Sequence, residues 1–217
     1  MSRTASFGEK HALTVVDRFG VWLSHRQIHR WVKRFDGLVV GDFGCGFDAK
    51  ITRPLLDRVQ KAYLADVSLA PDLLAQPKVT PLLGRLPHSL QSAPSDTFDA
   101  ILCVSVLEHL DDPRGMLRQI HRLLKPGGTA LINVPSWRGK FFLELSAFRL
   151  GLSPKEEMDD HKIYYDVRDL WPLLVEAGFL PSRIHCMHHK FGLNTFAACM
   201  KHENESAPRL ATLTGVA

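Results

Sequence analysis

The run Leu38-Val39-Val40-Gly41-Asp42-Phe43-Gly44-Cys45-Gly46 constrains this chain more than any other stretch. A short apolar segment ends in an acid and then in two glycines one residue apart. Apolar runs bounded by glycine read as buried strands. The glycines permit a sharp turn and let a ligand approach bare backbone, because no Cβ projects there. Residues 48–60 read as a helix, with Asp48 as its N-cap. Strand, glycine-rich turn and helix form the unit with which an α/β sheet binds a nucleotide at the carboxyl end of its first strand.

Lys61-Ala62-Tyr63-Leu64-Ala65-Asp66 reads as the second strand, again ending in an acid. Asp66 lies 20 residues beyond Gly46, close to the spacing of about 20 residues at which such units place a ribose-binding carboxylate. A carboxylate accepts from both ribose hydroxyls at once; the plainer reading is a turn residue at a strand end. Gly44-x-Gly46-x-x-Ala49 also satisfies the dinucleotide fingerprint, which would imply a nicotinamide-dependent oxidoreductase. Against that, Asp48 would face a pyrophosphate, and the chain has no Tyr-x-x-x-Lys pair.

Apolar residues from Val16 to Phe35 recur at helical spacing, predicting one or two amphipathic helices broken near Gly20. Residues 79–83 form a short third strand that Pro81 confines to an edge. Residues 98–104 are a strongly apolar fourth strand. Asp112 and Pro113 are good capping chemistry for a helix over 113–124, which Leu124-Lys125-Pro126-Gly127-Gly128 stops through a glycine C-cap. A fifth strand over 129–135, a helix ending near Phe179, and strands near 183–188 and 194–200 complete the pattern.

Other function classes lose ground on composition. The net charge is +4, and the densest basic group, Arg26, Arg30, Lys33 and Arg34, reads as a solvated helix face and not as a nucleic-acid surface. Cys45, Cys103, Cys186 and Cys199 are far apart and sit in or beside apolar runs, which fits neither a disulfide framework nor a zinc site. His25 and His29 have helical metal-site spacing but no accompanying carboxylate. His185, His188 and His189 would be split between the two faces of a strand. No apolar run approaches a membrane span and no signal-like start is visible, so a cytoplasmic protein is expected.

The segments DFGCG, FDAILCVSVLEHLDDP, LKPGG with its following strand, and the late HKIYY…AGF stretch closely resemble class I S-adenosylmethionine-dependent methyltransferases. The resemblance runs from about Leu38 to Lys201, in the broad group that includes quinone and sugar methylators. It implies an α/β, Rossmann-like, mostly parallel seven-stranded sheet with helices on both faces and an antiparallel final strand. It divides the chain into a helical segment 1–36, a methyltransferase domain 37–201 with a lid insertion about 136–165, and a tail 202–217.

The resemblance also assigns residues. Asp42, Gly44, Cys45 and Gly46 would form the donor's turn, and Asp66 with Val67 the ribose end. Arg85 stands where the family often has the adenine-binding Asp, leaving the backbone of Arg85 and Leu86 for that contact. Val104 and Ser105 would flank the methionine part, while Glu108 and His109 line the floor. A carboxylate near the sulfonium, Asp42 or Glu108, favours binding by opposite charge. His161, then His109, are the candidate bases for a hydroxyl acceptor. The aromatic stretch 137–150 would cover an acceptor with an apolar part, such as a quinone or lipid-linked glycan, or pack as a helix on the core, or touch a membrane surface weakly. A non-catalytic protein that keeps the cofactor fold remains an alternative, because Asp48 and Arg85 depart from the family pattern.

Overall fold

The protein is described by a computed structural model covering residues 6–9, 14–140 and 162–203. His161, most of the lid insertion, residues 141–150 of the aromatic stretch and the tail from 204 onward lie outside the described residues.

Seven strands form one sheet: β1 (Val39–Phe43), β2 (Lys61–Asp66), β3 (Val79–Leu83), β4 (Phe98–Val104), β5 (Leu124–Pro135), β6 (Ile184–His189) and β7 (Asn194–Met200). The spatial order is β3-β2-β1-β4-β5-β7-β6. Neighbours from β3 to β5 pair in parallel. β7 runs antiparallel between β5 and β6. Pro81 sits on the edge strand β3, where a missing donor is tolerated.

Two apolar layers fix which helices cover which face. α3 (Pro113–Leu123) and α4 (Val167–Glu176) pack Met116, Leu117, Ile120, Leu170 and Leu174 against Phe98, Ile101, Ile132 and Ala197. On the other face α1 (Val15–Trp31) and α2 (Pro71–Leu74) bring Ile28 and Leu73 onto Val40, Leu64, Leu102, Leu131 and Phe196. Each such buried Leu, Ile or Phe contributes roughly 1.5–3 kcal/mol of burial. Asp112 caps α3 by accepting from the Gly115 N–H at 2.7 Å, as its sequence position predicts.

Three local expectations are corrected. Residues 48–60 do not form a helix: they hold turns and a single 3-10 turn, Arg53–Leu55. Ala49 takes φ +46, Pro54 lacks a donor, and the Thr52 hydroxyl is drawn to Asp42 at 2.6 Å. Asp48 therefore caps no helix; its carboxylate lies 3.4 Å from Lys50 Nζ. Gly20 does not break α1, which continues through it with Lys190 Nζ 3.6 Å from where its Cβ would stand. Lastly, Leu124 is already extended (φ −66, ψ 138), so no glycine closes α3, and the LKPGG segment belongs to β5. Pro126 disfavours helical backbone at Lys125, and the extra residues produce a register shift against β4.

Candidate functional site

The parallel strands end together, and the turns beyond them form the site edge where α/β sheets bind ligands. Gly44 (φ +78) and Gly46 (φ +73) both occupy the left-handed region. A Cβ on Gly44 would stand 2.2 Å from Val106 Cγ2, and one on Gly46 would stand 3.0 Å from the Phe7 carbonyl. Their bareness therefore serves the protein's own approach as well as any ligand's. The turn is tied to β2 by the Gly44 N–H donating to the Ala65 carbonyl at 2.7 Å.

Asp66 closes this half. Its carboxylate accepts from the Gly46 N–H at 2.8 Å, from the Val67 N–H at 2.8 Å, and from the Ser6 hydroxyl on the oxygen that Val67 also uses. Ser6 further donates to the Ser68 carbonyl at 2.7 Å, and the Phe47 N–H donates to the Phe7 carbonyl at 2.9 Å. A carboxylate fixed beside a glycine turn fits a donor carrying a ribose: the amide N–H groups orient it and one further acceptor position remains on the Gly46 side.

Asp42 lies beneath the turn, 2% exposed. Burial pushes its carboxyl up to about 7, against the Thr52 hydrogen bond, with the Asp66 charge adding to the rise. Cys45 packs against the apolar face that carries α1; burial raises its thiol well above the usual range, so it behaves as a hydrophobe. Beyond β3 the Arg85 carbonyl accepts from the Ser89 N–H at 3.0 Å, and Leu86 packs against the core.

At the end of β4, Ser105 (φ +57) turns the chain and donates its N–H to the Asn133 carbonyl at 2.7 Å. That turn lays Val106 over Gly44 and leaves Val104 half-buried toward the α1 face. Leu107–His109 form one 3-10 turn, with Glu108 only 1% exposed and His109 half-buried. The Glu108 carbonyl accepts from the Lys162 N–H at 2.7 Å, and Lys162 Nζ pairs with Asp111. Thus the chain next to His161 returns to the β4 turn.

Sequence reasoning missed several groups here. Asn133, fully buried near the end of β5, has neither amide atom hydrogen-bonded among the described residues. The Tyr165 and Thr195 hydroxyls share that condition, and burial, then the charges of Glu108 and Cys103, push the Tyr165 phenol up to about 12. Burial, then the charge of Lys190, pushes His189 down to about 4. Lys190, at the β6–β7 turn, is pushed down to about 8 by burial against the opposing pull of Glu108 and Asp17. A lone Asn within the apolar run ALINVP was a readable signal; nothing in the sequence announced Ser6, Thr52 or Lys190. Among the described residues no group of three or more His, Cys, Asp or Glu could hold a metal ion, and no helix is long and apolar enough to cross a membrane.

Comparisons with known proteins bear on this arrangement. The family described as "Methyltransferase domain" matches residues 19–200. A ubiquinone biosynthesis O-methyltransferase of Aeromonas salmonicida (strain A449) is 29% identical over 97 residues, 43% of this chain and 40% of that protein. One from Xanthomonas oryzae pv. oryzae (strain PXO99A) is 32% identical over 108 residues, 45% and 43% of the two chains. The chain thus aligns with less than half the length of these curated relatives. Among solved structures, the magnesium protoporphyrin IX methyltransferase of Synechocystis PCC 6803 with bound S-adenosylhomocysteine matches at TM-score 0.62 and 18% identity, over 89% of this chain and 90% of that one. The 1,6-didemethyltoxoflavin-N1-methyltransferase of Burkholderia thailandensis matches at 0.61 and 19%, over 86% and 80%. At such identity these two establish the fold alone. The family match, in contrast, spans most of the chain from α1 to β7, and the chain belongs to the methyltransferase-domain family.

Proposed function

We propose that the protein transfers a methyl group from S-adenosylmethionine to a hydroxyl oxygen of a small-molecule acceptor with an apolar part, a quinol or a lipid-linked glycan being the types in view. The observation that carries the reading is Asp66, its carboxylate oriented by the Gly46 and Val67 N–H groups beside the left-handed glycine turn. The choice of oxygen leans on the two O-methyltransferase relatives.

When bound, the donor supplies a methyl on a cationic sulfonium and leaves as a neutral thioether, so no leaving-group proton is needed. The protein's work is then largely to hold an acceptor oxygen in line. Asp66 and the glycine turn fix the donor's nucleoside end, and Val104 and Ser105 bound its methionine part. Glu108 supplies negative charge at the floor. His161 is the first candidate to take the acceptor's proton, on the resemblance of the HKIYY stretch to the family's acceptor-side histidine; His109 is the second.

Calorimetric titration with S-adenosylhomocysteine, NAD and NADP tests the cofactor assignment. Micromolar binding of the sulfur ligand alone supports it, and binding of a nicotinamide overturns it. With methyl-labelled donor and a panel of hydroquinones, His161→Ala should lower turnover about 100-fold while leaving homocysteine-ligand affinity intact. Equal turnover in the variant removes the base assignment.

A further inference from the structure

Strand alternation places Asn133 on the same sheet face as Leu131, the face that α1 covers through Ile28. Its register partner on β7 is Phe196, which belongs to the same apolar layer. The His189 ring stands edge-on to Phe196, centroids 5.7 Å apart. Lys190 reaches the same helix, its Nζ 3.6 Å from the Cβ position of Gly20. Three polar groups from β5 and the β6–β7 turn thus lie under α1, at the edge where the parallel strands end.

Two features mark this place as built and not incidental. Both amide atoms of Asn133 and the Nε2 of His189 are buried without a hydrogen-bond partner among the described residues, a condition native proteins rarely leave unexplained. The backbone that delivers Lys190 is also strained, with Lys190 (φ +49) and Phe191 (φ +60) successive non-glycine residues in the left-handed region. Such strain persists where surroundings enforce it. Ser136 does so here, its N–H donating to the Leu193 carbonyl at 3.0 Å and its hydroxyl to the Gly192 carbonyl at 2.7 Å.

We propose that the Asn133 amide is a specificity-determining group of the acceptor site, on the α1 face of the sheet from which His189 and Lys190 also approach. The ligand it takes is a hydroxylated head group that donates to Oδ1 and accepts from Nδ2. An apolar molecule of the same shape would leave the amide unsatisfied and is discriminated against on that ground. The proposal rests on the reading of a hydroxyl-bearing acceptor given above. It assigns Asn133 to the acceptor and leaves the donor to Asp66.

The test compares the protein with Asn133→Leu, which keeps the side-chain volume and removes the orphaned polar atoms. Melting temperature is expected to rise by about 3–8 °C, with S-adenosylhomocysteine affinity within about twofold of the parent. A fall or no change in melting temperature shows that the amide is already satisfied inside the protein and overturns the proposal. So does a loss of homocysteine-ligand affinity, which would return Asn133 to the donor. Independently of any variant's folding, phenol and toluene are titrated into the parent protein, with S-adenosylhomocysteine in excess, while the Asn133 side-chain N–H resonances are followed. Asn133→Ser assigns them by their absence. Phenol should shift them and toluene should not; equal response, or none, overturns the proposal. Should the homocysteine ligand fail to bind the parent, the methyltransfer reading falls, while the melting and phenol measurements still decide on the Asn133 amide.

Discussion

Asp66, at the end of β2, accepts from Ser6, Gly46 and Val67, whereas the Asn133 amide and the hydroxyls of Tyr165 and Thr195 find no hydrogen-bond partner among the described residues. Both places lie along one edge of one sheet, so the contrast is not between core and surface. On the proposed reading, the half assigned to the donor is locked by the chain's own amides and hydroxyls, and the half assigned to the acceptor keeps polar capacity that the described residues do not use. A donor common to a whole family can be met by a preorganised cradle, while an acceptor peculiar to one enzyme would be recognised by groups left waiting. Four measurements break or sharpen that contrast.

The largest effect is expected from the buried carboxylate under the turn. With its folded-state value near 7 and an unfolded value near 3.8, Asp42 binds a proton in the folded state that the unfolded chain has released between those limits. Stability therefore falls as pH rises from about 4 to about 7 and is level above, by an amount on the order of 4 kcal/mol at most. Asp42→Asn should remove that slope while retaining an acceptor for Thr52. Denaturant unfolding at successive pH values reads it directly, and an unchanged slope would mean that Asp42 is ionised throughout.

Next in size, Asp66→Ala should weaken S-adenosylhomocysteine binding about 100-fold, since hydrogen bonds to a charged group are the strong ones. Unchanged affinity in calorimetry would discard the ribose role and, with it, the reason for calling this half the donor's.

How far each half could be read from the sequence follows the same division. Asp42, Gly44 and Gly46 are contiguous, and Asp66 stands at a fixed spacing set by one strand–turn–strand unit, so local pattern sufficed. The acceptor half draws on α1, β5, β6 and β7, which meet only in the fold. Nothing in the local sequence marks Lys190, whose turn is held by Ser136 from just beyond β5. The misread helix over 48–60 has a similar cause: periodicity favoured it, but the Thr52 hydroxyl is held by Asp42 of another element. Ser6 lies in the stretch assigned to the N-terminal helical segment, and its partners are some 60 residues away.

A smaller pair of effects tests the unsatisfied half. Tyr165→Phe and Thr195→Val each remove a buried hydroxyl that has no partner among the described residues. Each should leave stability within about 0.5 kcal/mol of the parent or raise it, because no hydrogen bond is lost and a buried polar atom is removed. A loss of more than 1 kcal/mol in thermal unfolding would show that these hydroxyls are satisfied, and the contrast between the halves would close.

The last effect decides how complete the donor half is. A carboxylate offers about four acceptor positions, and Asp66 has given one to Ser6, one to Val67 and one to Gly46. Both ribose hydroxyls require two, so Ser6 contends with one of them. Ser6→Ala should then tighten S-adenosylhomocysteine binding by about threefold to tenfold, a neutral hydrogen bond's worth, and should raise amide exchange in residues 6–9 even without ligand. Weaker binding in the variant would mean the reverse: Ser6 would be part of the wall that orders Asp66 for its ligand, and the donor half would be more fully preorganised than the hydrogen-bond count implies.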